Sequence, residues 1–251
     1  TNNGPLVREL EERLGDFLGV NNLLLVANGT LALQVALRAV GVSGEAITTP
    51  FTFVATSAAI RNEALGIRYA DIEAETLNLD PVRAETACSS ETDALVPVHV
   101  YGNPCDVEAF EDLAQRKGLK TVYDAAHGLG VDYDGQSLLR WGDAATLSLH
   151  ATKLFHTGEG GAVVFRREED REWARHLINF GLDPTDGSIS EVGMNAKMSE
   201  FHAAVGLAML EDLPEILESR AAVVEAYERG LADWVEFPRW SEKATRNGAY
   251  A

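Results

Sequence analysis

The sequence predicts an α/β fold, a mostly parallel sheet with helices on both faces, and three observations carry that reading. Short apolar runs of four or five residues recur along the chain. Longer amphipathic stretches separate them, and glycine or Asn/Asp turns punctuate the boundaries. Parallel strands joined by helical crossovers satisfy this alternation most economically, because each strand is then buried on both faces.

Gly4 and Pro5 precede Leu6, Leu10, Leu14, Phe17 and Leu18, a helical stripe with Pro in its first turn, closing near Gly19. The run Leu23 to Ala27 is too short for a helix and reads as a strand. Asn28, Gly29 and Thr30 form a turn, and a helical pattern follows from Leu31 to Val40. Further strands are expected near Ala46 to Thr48, Ile67 to Ala70, Ala94 to Val98 and Leu119 to Tyr123. Helices fall between them, around Thr52 to Asn62 and Val107 to Lys117. The pattern then changes: strands at Ala144 to Leu149 and Ala162 to Phe165 are separated only by a loop that carries Lys153 and the run Gly158-Glu159-Gly160-Gly161. A helix from Glu168 to Asn179 precedes an extended loop over Gly181 to Lys197, which contains Pro184. Two helices are expected after it, Ser199 to Leu210 and Leu213 to Trp234.

The 251 residues are 46% hydrophobic and 24% charged, enough to bury a full core. A formal charge of −18 opposes a general nucleic-acid or anionic-membrane role, so an anionic ligand must be held by local devices such as amides at a helix start. Cys88 and Cys105 have no paired spacing and read as incidental thiols. No apolar run approaches the roughly 18 residues of a membrane span, and the expectation is a soluble, cytoplasmic protein.

Several short motifs could carry chemistry. Gly29 and Thr30 sit between strand and helix, where free N–H groups favour a phosphate, although a routine N-cap reads the same. Asp124 ends an apolar strand, where open α/β sheets gather ligands; it could hold a protonated ring nitrogen or cap the strand. His127 could bond the same ligand or satisfy a carbonyl. Ser148 to Lys153 runs from a strand into a glycine-rich turn, and a shielded lysine there can act as a nucleophile toward an aldehyde. His99, His150 and His156 match no zinc pattern, and no metal site is expected. No G-x-G-x-x-G or P-loop signature follows a strand.

Taken together and in order, six motifs resemble the DegT/DnrJ/EryC1/StrS sugar aminotransferases, fold type I enzymes that use pyridoxal 5′-phosphate. They are Asn28 to Leu33, Thr49 to Thr56, Pro97 to Gly102, Asp124 to His127, Ser148 to Lys153 with Gly158-Glu159-Gly160-Gly161, and Gly193 to Glu200. The resemblance implies the seven-stranded sheet of a fold type I large domain. It places Lys153 at the family's Schiff-base lysine, Asp124 at the partner of the pyridine nitrogen, Phe53 at the aromatic stacked on the ring, and His127 beside the ring hydroxyl. Gly29, Thr30 and Ser148 match the phosphate cup. Asn195 matches the residue that reaches the phosphate from a neighbouring subunit, which implies a homodimer with shared active sites.

The implied reaction moves nitrogen from an amino acid such as L-glutamate to a keto-sugar nucleotide. Asn28 and Lys197 depart from the family's usual Ser and Arg. The resemblance also divides the chain into a cofactor-binding domain over 1–235 and, over 236–251, the start of a truncated small C-terminal domain. A non-catalytic, cofactor-binding or regulatory relative is therefore an alternative. A sugar dehydratase of the same family is a weaker one, because a His replaces the lysine there.

Overall fold

The computed structural model describes residues 2–250 except Pro184 and Ser190. In chain order the elements are α1 (Pro5–Leu18), β1 (Leu23–Val26), α2 (Gly29–Ala39), β2 (Glu45–Thr48), α3 (Val54–Asn62), β3 (Gly66–Tyr69), α4 (Pro81–Ala87) and β4 (Thr92–Leu95). There follow α5 (Val107–Lys117), β5 (Lys120–Asp124), β6 (Asp132–Tyr133), β7 (Gln136–Ser137), β8 (Ala144–Ser148), β9 (Gly161–Phe165), α6 (Glu168–Leu177) and α7 (Glu200–Leu231).

Seven strands form one sheet in the order β1-β9-β8-β5-β4-β2-β3. The pairs from β8 to β3 are parallel, and β9 runs antiparallel to both of its neighbours. The fold is thus the expected α/β architecture, and the antiparallel strand follows from chain length. Only twelve residues separate Ser148 from Gly161, a span that folds here as an extended hairpin rather than a helical crossover.

Strand alternation divides the core in two. Leu23, Leu25, Tyr123 and Leu147 face one layer with Leu10 and Leu14 of α1, Phe110 of α5 and Leu213 of α7. Leu24, Val26, Val122 and Val163 face the other, with Leu33 and Leu37 of α2, Ile60 of α3 and Leu177 of α6. Helices therefore cover both faces. The first helix buries Val7, Leu10, Leu14 and Leu18 and ends on Gly19 in the left-handed region, but Phe17 is exposed, so the stripe is narrower than the sequence suggested.

One expectation needs correction. The stretches 199–210 and 213–234 form one helix, α7, with Pro214 inside it. Pro214 removes one backbone donor, but Leu210 and Leu213 are both buried in the same core layer, and that packing keeps the two halves in line. Three further elements, α4, β6 and β7, lie outside the expected set. Asp80 caps α4 by accepting from Val82 and Arg83 N–H, with Pro81 in its first turn. Asp134 and Gly135, both at positive φ, turn the β6–β7 hairpin.

The segment after α7 returns across the body of the molecule. Thr245 N–H donates to Asp132 O, and Asp132 N–H to Thr245 Oγ1. Lys243 pairs with Glu108 at 2.8 Å. No described helix is long and apolar enough to cross a membrane.

Candidate active site at the carboxyl ends of the strands

The site is assembled where the chain leaves β1, β5 and β8. Asn28 is extended (φ −166°) and its Oδ1 accepts from Leu31 N–H at 2.9 Å, so α2 starts at Gly29, two residues earlier than the apolar pattern indicated. The first-turn N–H groups of Gly29 and Thr30 have no intrahelical acceptor and carry the positive end of the helix. Gly29 allows β8 to come close: a Cβ there would stand 3.0 Å from Cβ of Ser148.

Asp124 ends β5 and is buried. Its Oδ2 accepts from Thr56 Oγ1 at 2.7 Å and its Oδ1 from Ala126 N–H at 3.1 Å. Burial pushes its carboxyl above the ordinary range, while those two bonds and the Lys153 cation pull it down. No Lys, Arg or His among the described residues stands at ion-pair distance from it. A buried carboxylate with two donors and no close counter-ion is costly, and a cationic ligand group above it would offset that cost.

Lys153 sits in the β8–β9 connection. Leu149 N–H donates to Gly160 O, Ala151 N–H to Gly158 O and Thr157 N–H to Leu149 O, extending the hairpin ladder beyond the strands. Phe155, fully buried, pins the loop into the core, and Lys153 N–H closes a turn onto His150 O at 2.9 Å. Burial lowers the Lys153 amine below the usual lysine range, opposed by the carboxylate of Asp124. The amine is neutral at a lower pH than a solvated lysine, as a nucleophile requires.

His127 follows Asp124 on the same connection. Burial, with the Lys153 cation, depresses its imidazole to about 4. Its Nε2 lies 3.0 Å from the phenol oxygen of Tyr250. Phe53, the residue before α3, is 78% exposed and stands at the rim of the cleft.

A cleft of about 1220 Å³ brings these groups together: Gly29, Thr30, Phe53, Asp124, His127, Ser148 and Lys153 all line it. Asn195 does not; it is exposed on the segment after Gly193, where its Oδ1 accepts from Lys197 Nζ at 2.9 Å. Three lining or supporting residues had no role in the sequence reading. Thr56 supports Asp124, and the i, i+4 pair Thr52 and Thr56, whose hydroxyls are 2.7 Å apart, was the available signal. Tyr101 and Tyr250 also line the cleft, and no local pattern marks them.

Comparison with known proteins places the chain among relatives of known activity. A family model described as the DegT/DnrJ/EryC1/StrS aminotransferase family matches residues 1–250. The dTDP-4-amino-4,6-dideoxy-D-glucose transaminase of Shigella dysenteriae is 48% identical over 234 residues, 93% of this chain and 63% of that protein. The pleiotropic regulatory protein of Geobacillus stearothermophilus is 33% identical over 235 residues, 92% of this chain and 63% of its own. The crystal structure of DesI in the presence of its TDP-sugar product aligns with a TM-score of 0.87 at 42% identity, covering 92% of this chain and 59% of that one. The chain spans about three fifths of the length of the curated relatives it matches.

Proposed function

The chain belongs to the DegT/DnrJ/EryC1/StrS aminotransferase family, and from this premise we propose that its cleft binds pyridoxal 5′-phosphate and serves transfer of an amino group from an amino acid such as L-glutamate to a keto-sugar nucleotide. The observation that carries the proposal is the convergence of Lys153, buried Asp124 and the start of α2 on one cleft. The name of the Shigella relative favours a dTDP-linked 4-amino-4,6-dideoxy sugar as the aminated product.

The residues present fit the cofactor. Neutral donors at Gly29, Thr30 and Ser148 suit a phosphate in a chain of charge −18, because they need no cation from the acidic surface. Among the described residues no Lys, Arg or His stands at ion-pair distance from Asp124, a place that a protonated ring nitrogen would fill. When bound, pyridoxal phosphate supplies an electron sink for the carbon that loses its proton.

The protein's own groups do the rest. Asp124 keeps the ring nitrogen protonated, and Thr56 and Ala126 hold the carboxylate in its charged form. Lys153 Nζ, depressed by burial, is the base that removes and returns the substrate proton. Phe53, at the rim of the cleft, is placed to stack on the cofactor ring, and His127 borders the cleft as a neutral imidazole. In the same reading the chain pairs as a homodimer, with Asn195 reaching the phosphate of the neighbouring copy, and residues 236–251 begin a second domain whose first residues also reach the cleft through Tyr250.

Absorbance spectra of the protein with pyridoxal phosphate, before and after L-glutamate, test the proposal. A visible band that shifts with glutamate supports transamination; failure to take up the cofactor refutes it. A second reading has one observation in its favour, the regulatory name of the Geobacillus relative: a protein that binds the cofactor without turning it over. Uptake without any shift on glutamate would select that reading.

A further inference from the structure

Three segments remote in sequence lock together beside His127. Asn247 is buried and fully bonded: its Nδ2 donates to His127 O at 2.8 Å and to Leu129 O at 2.7 Å, and its Oδ1 accepts from Ala249 N–H at 3.0 Å. Arg220 of α7 holds the following carbonyls, donating to Gly248 O at 3.1 Å and Ala249 O at 2.9 Å. From the other side the turn at Tyr101 and Gly102 comes so close that a Cβ on Gly102 would stand 2.7 Å from His127 O. Tyr101 takes the left-handed conformation there (φ 57°), a rare one for a residue with a side chain.

This clamp delivers the Tyr250 ring to a defined place. Its centroid lies 4.6 Å from that of His127 and 5.2 Å from that of Tyr101, and its hydroxyl is 3.0 Å from His127 Nε2. Tyr250 also lines a small cavity of about 20 Å³ together with Lys153 and Ser148. A neutral imidazole offers one bare nitrogen and one N–H. A phenol is a strong donor and a poor acceptor, since its lone pair is delocalised into the ring. Of the two directions open to this contact, the stronger bond runs from Tyr250 O–H to Nε2.

We propose that Tyr250, held by the Asn247 clamp, is a positioning residue for the site: it fixes the ring of His127 and places its single proton on Nδ1, presenting the cleft with one tautomer. The consequence for cofactor binding rests on the function proposed above, but the tautomer does not.

Long-range ¹⁵N–¹H spectra of the cofactor-free protein, with His127 assigned by loss of its signals in His127→Asn, read the tautomer directly. The wild type is expected to show a protonated Nδ1 and a bare, hydrogen-bonded Nε2. Tyr250→Phe keeps the ring contacts and removes only the hydroxyl; it is expected to populate both tautomers. Identical His127 signals in the two proteins would overturn the assignment, as would a wild type with its proton on Nε2. With cofactor, Tyr250→Phe is expected to raise the dissociation constant about three- to tenfold, the range of one lost hydrogen bond; an unchanged constant would remove Tyr250 from cofactor binding. If the wild type takes up no pyridoxal phosphate, the proposed function fails and the tautomer measurement still decides the role of Tyr250.

Discussion

Thr56 Oγ1 donates to Asp124 Oδ2 at 2.7 Å across 68 positions of sequence, tying the first half of α3 to the end of β5. The bond favours the charged carboxylate against the burial that disfavours it. Thr56→Val keeps the side-chain shape and removes this donor, so the Asp124 carboxyl should rise further above its ordinary range. A hydrogen bond to a charged group is worth about 1.5–3 kcal/mol. Cofactor affinity, measured by equilibrium titration of the visible band, is expected to fall at least about tenfold, and Thr56→Ser should recover most of it. Unchanged affinity in the valine variant would detach Thr56 from the site.

Asp124→Asn should separate stability from function. In the cofactor-free protein, burial raises the Asp124 carboxyl, so the folded chain holds that proton more tightly than the unfolded chain. Its stabilising contribution is therefore full below the ordinary carboxylate range and is lost as pH rises through the raised folded value. An amide at this position accepts from Ala126 N–H, donates to Thr56 and never ionises. Thermal denaturation of the cofactor-free proteins should show Asp124→Asn more stable than wild type at neutral pH, with the gap closing in acid. Saturating pyridoxal phosphate should reverse the order, since the ligand stabilises the protein that binds it more tightly. A variant less stable than wild type without cofactor would mean that the carboxylate is no burden.

The elements and the residues of the cleft were legible to different degrees, for a physical reason. Hydrophobic period marks α5, which begins at Val107 and ends at Lys117 as expected, because its capping signals are local: Asp106 accepts from Ala109 N–H and Gly118 takes the left-handed conformation. Asp80-Pro81 and Asp134-Gly135 are equally local signals for α4 and the β6–β7 hairpin, but no apolar period accompanies two- or seven-residue elements to set them apart from ordinary loops. The two helices expected over 199–210 and 213–234 instead run together as α7, since tertiary packing of Leu210 and Leu213 outweighs the one backbone bond that Pro214 removes. In the cleft, Lys153 and Asp124 carry chemistry in their own side chains, Asp124 at the end of β5 and Lys153 in the connection that follows β8. Thr56 and Tyr250 matter only through what they touch, 68 and 123 positions away, and such proximity is a property of the fold alone.

Lys153 supplies a pH test with a defined direction. Burial lowers its amine below the ordinary lysine range, so the neutral, nucleophilic fraction grows at lower pH than for a solvated lysine. The rate at which the protein acquires its visible band from pyridoxal phosphate should rise with pH and level off below the ordinary lysine value of about 10.4. Lys153→Ala should give no covalent band while its circular dichroism matches the wild type. Persistence of the band in that variant would move the nucleophile elsewhere.

Gly161 supplies the last test, because its contact links the sheet to the phosphate-binding end of α2. It opens β9, pairs with Val26 on one side and Ser148 on the other, and lies directly behind the Asn28 peptide. A Cβ added there would stand 2.5 Å from both C and O of Asn28 and 2.8 Å from N of Gly29. These are backbone atoms fixed by the β1–β9 pairing and by the Asn28 cap, so no flexible side chain can yield in their place. Gly161→Ala must push the Asn28-Gly29 turn outward or open the pairing. Overpacking of this kind typically costs about 1–3 kcal/mol, and the displaced amides no longer converge with Ser148. Stability should fall by that amount in denaturant titration, and affinity for pyridoxal phosphate should fall more than affinity for pyridoxal, which lacks the phosphate. Gly135→Ala, at a hairpin tip where a Cβ meets nothing within 4 Å, controls for substitution at a strained glycine: its positive φ costs stability too, but the two affinities should fall together or stay unchanged. If Gly161→Ala loses affinity for both ligands equally, the start of α2 is not where the phosphate is held.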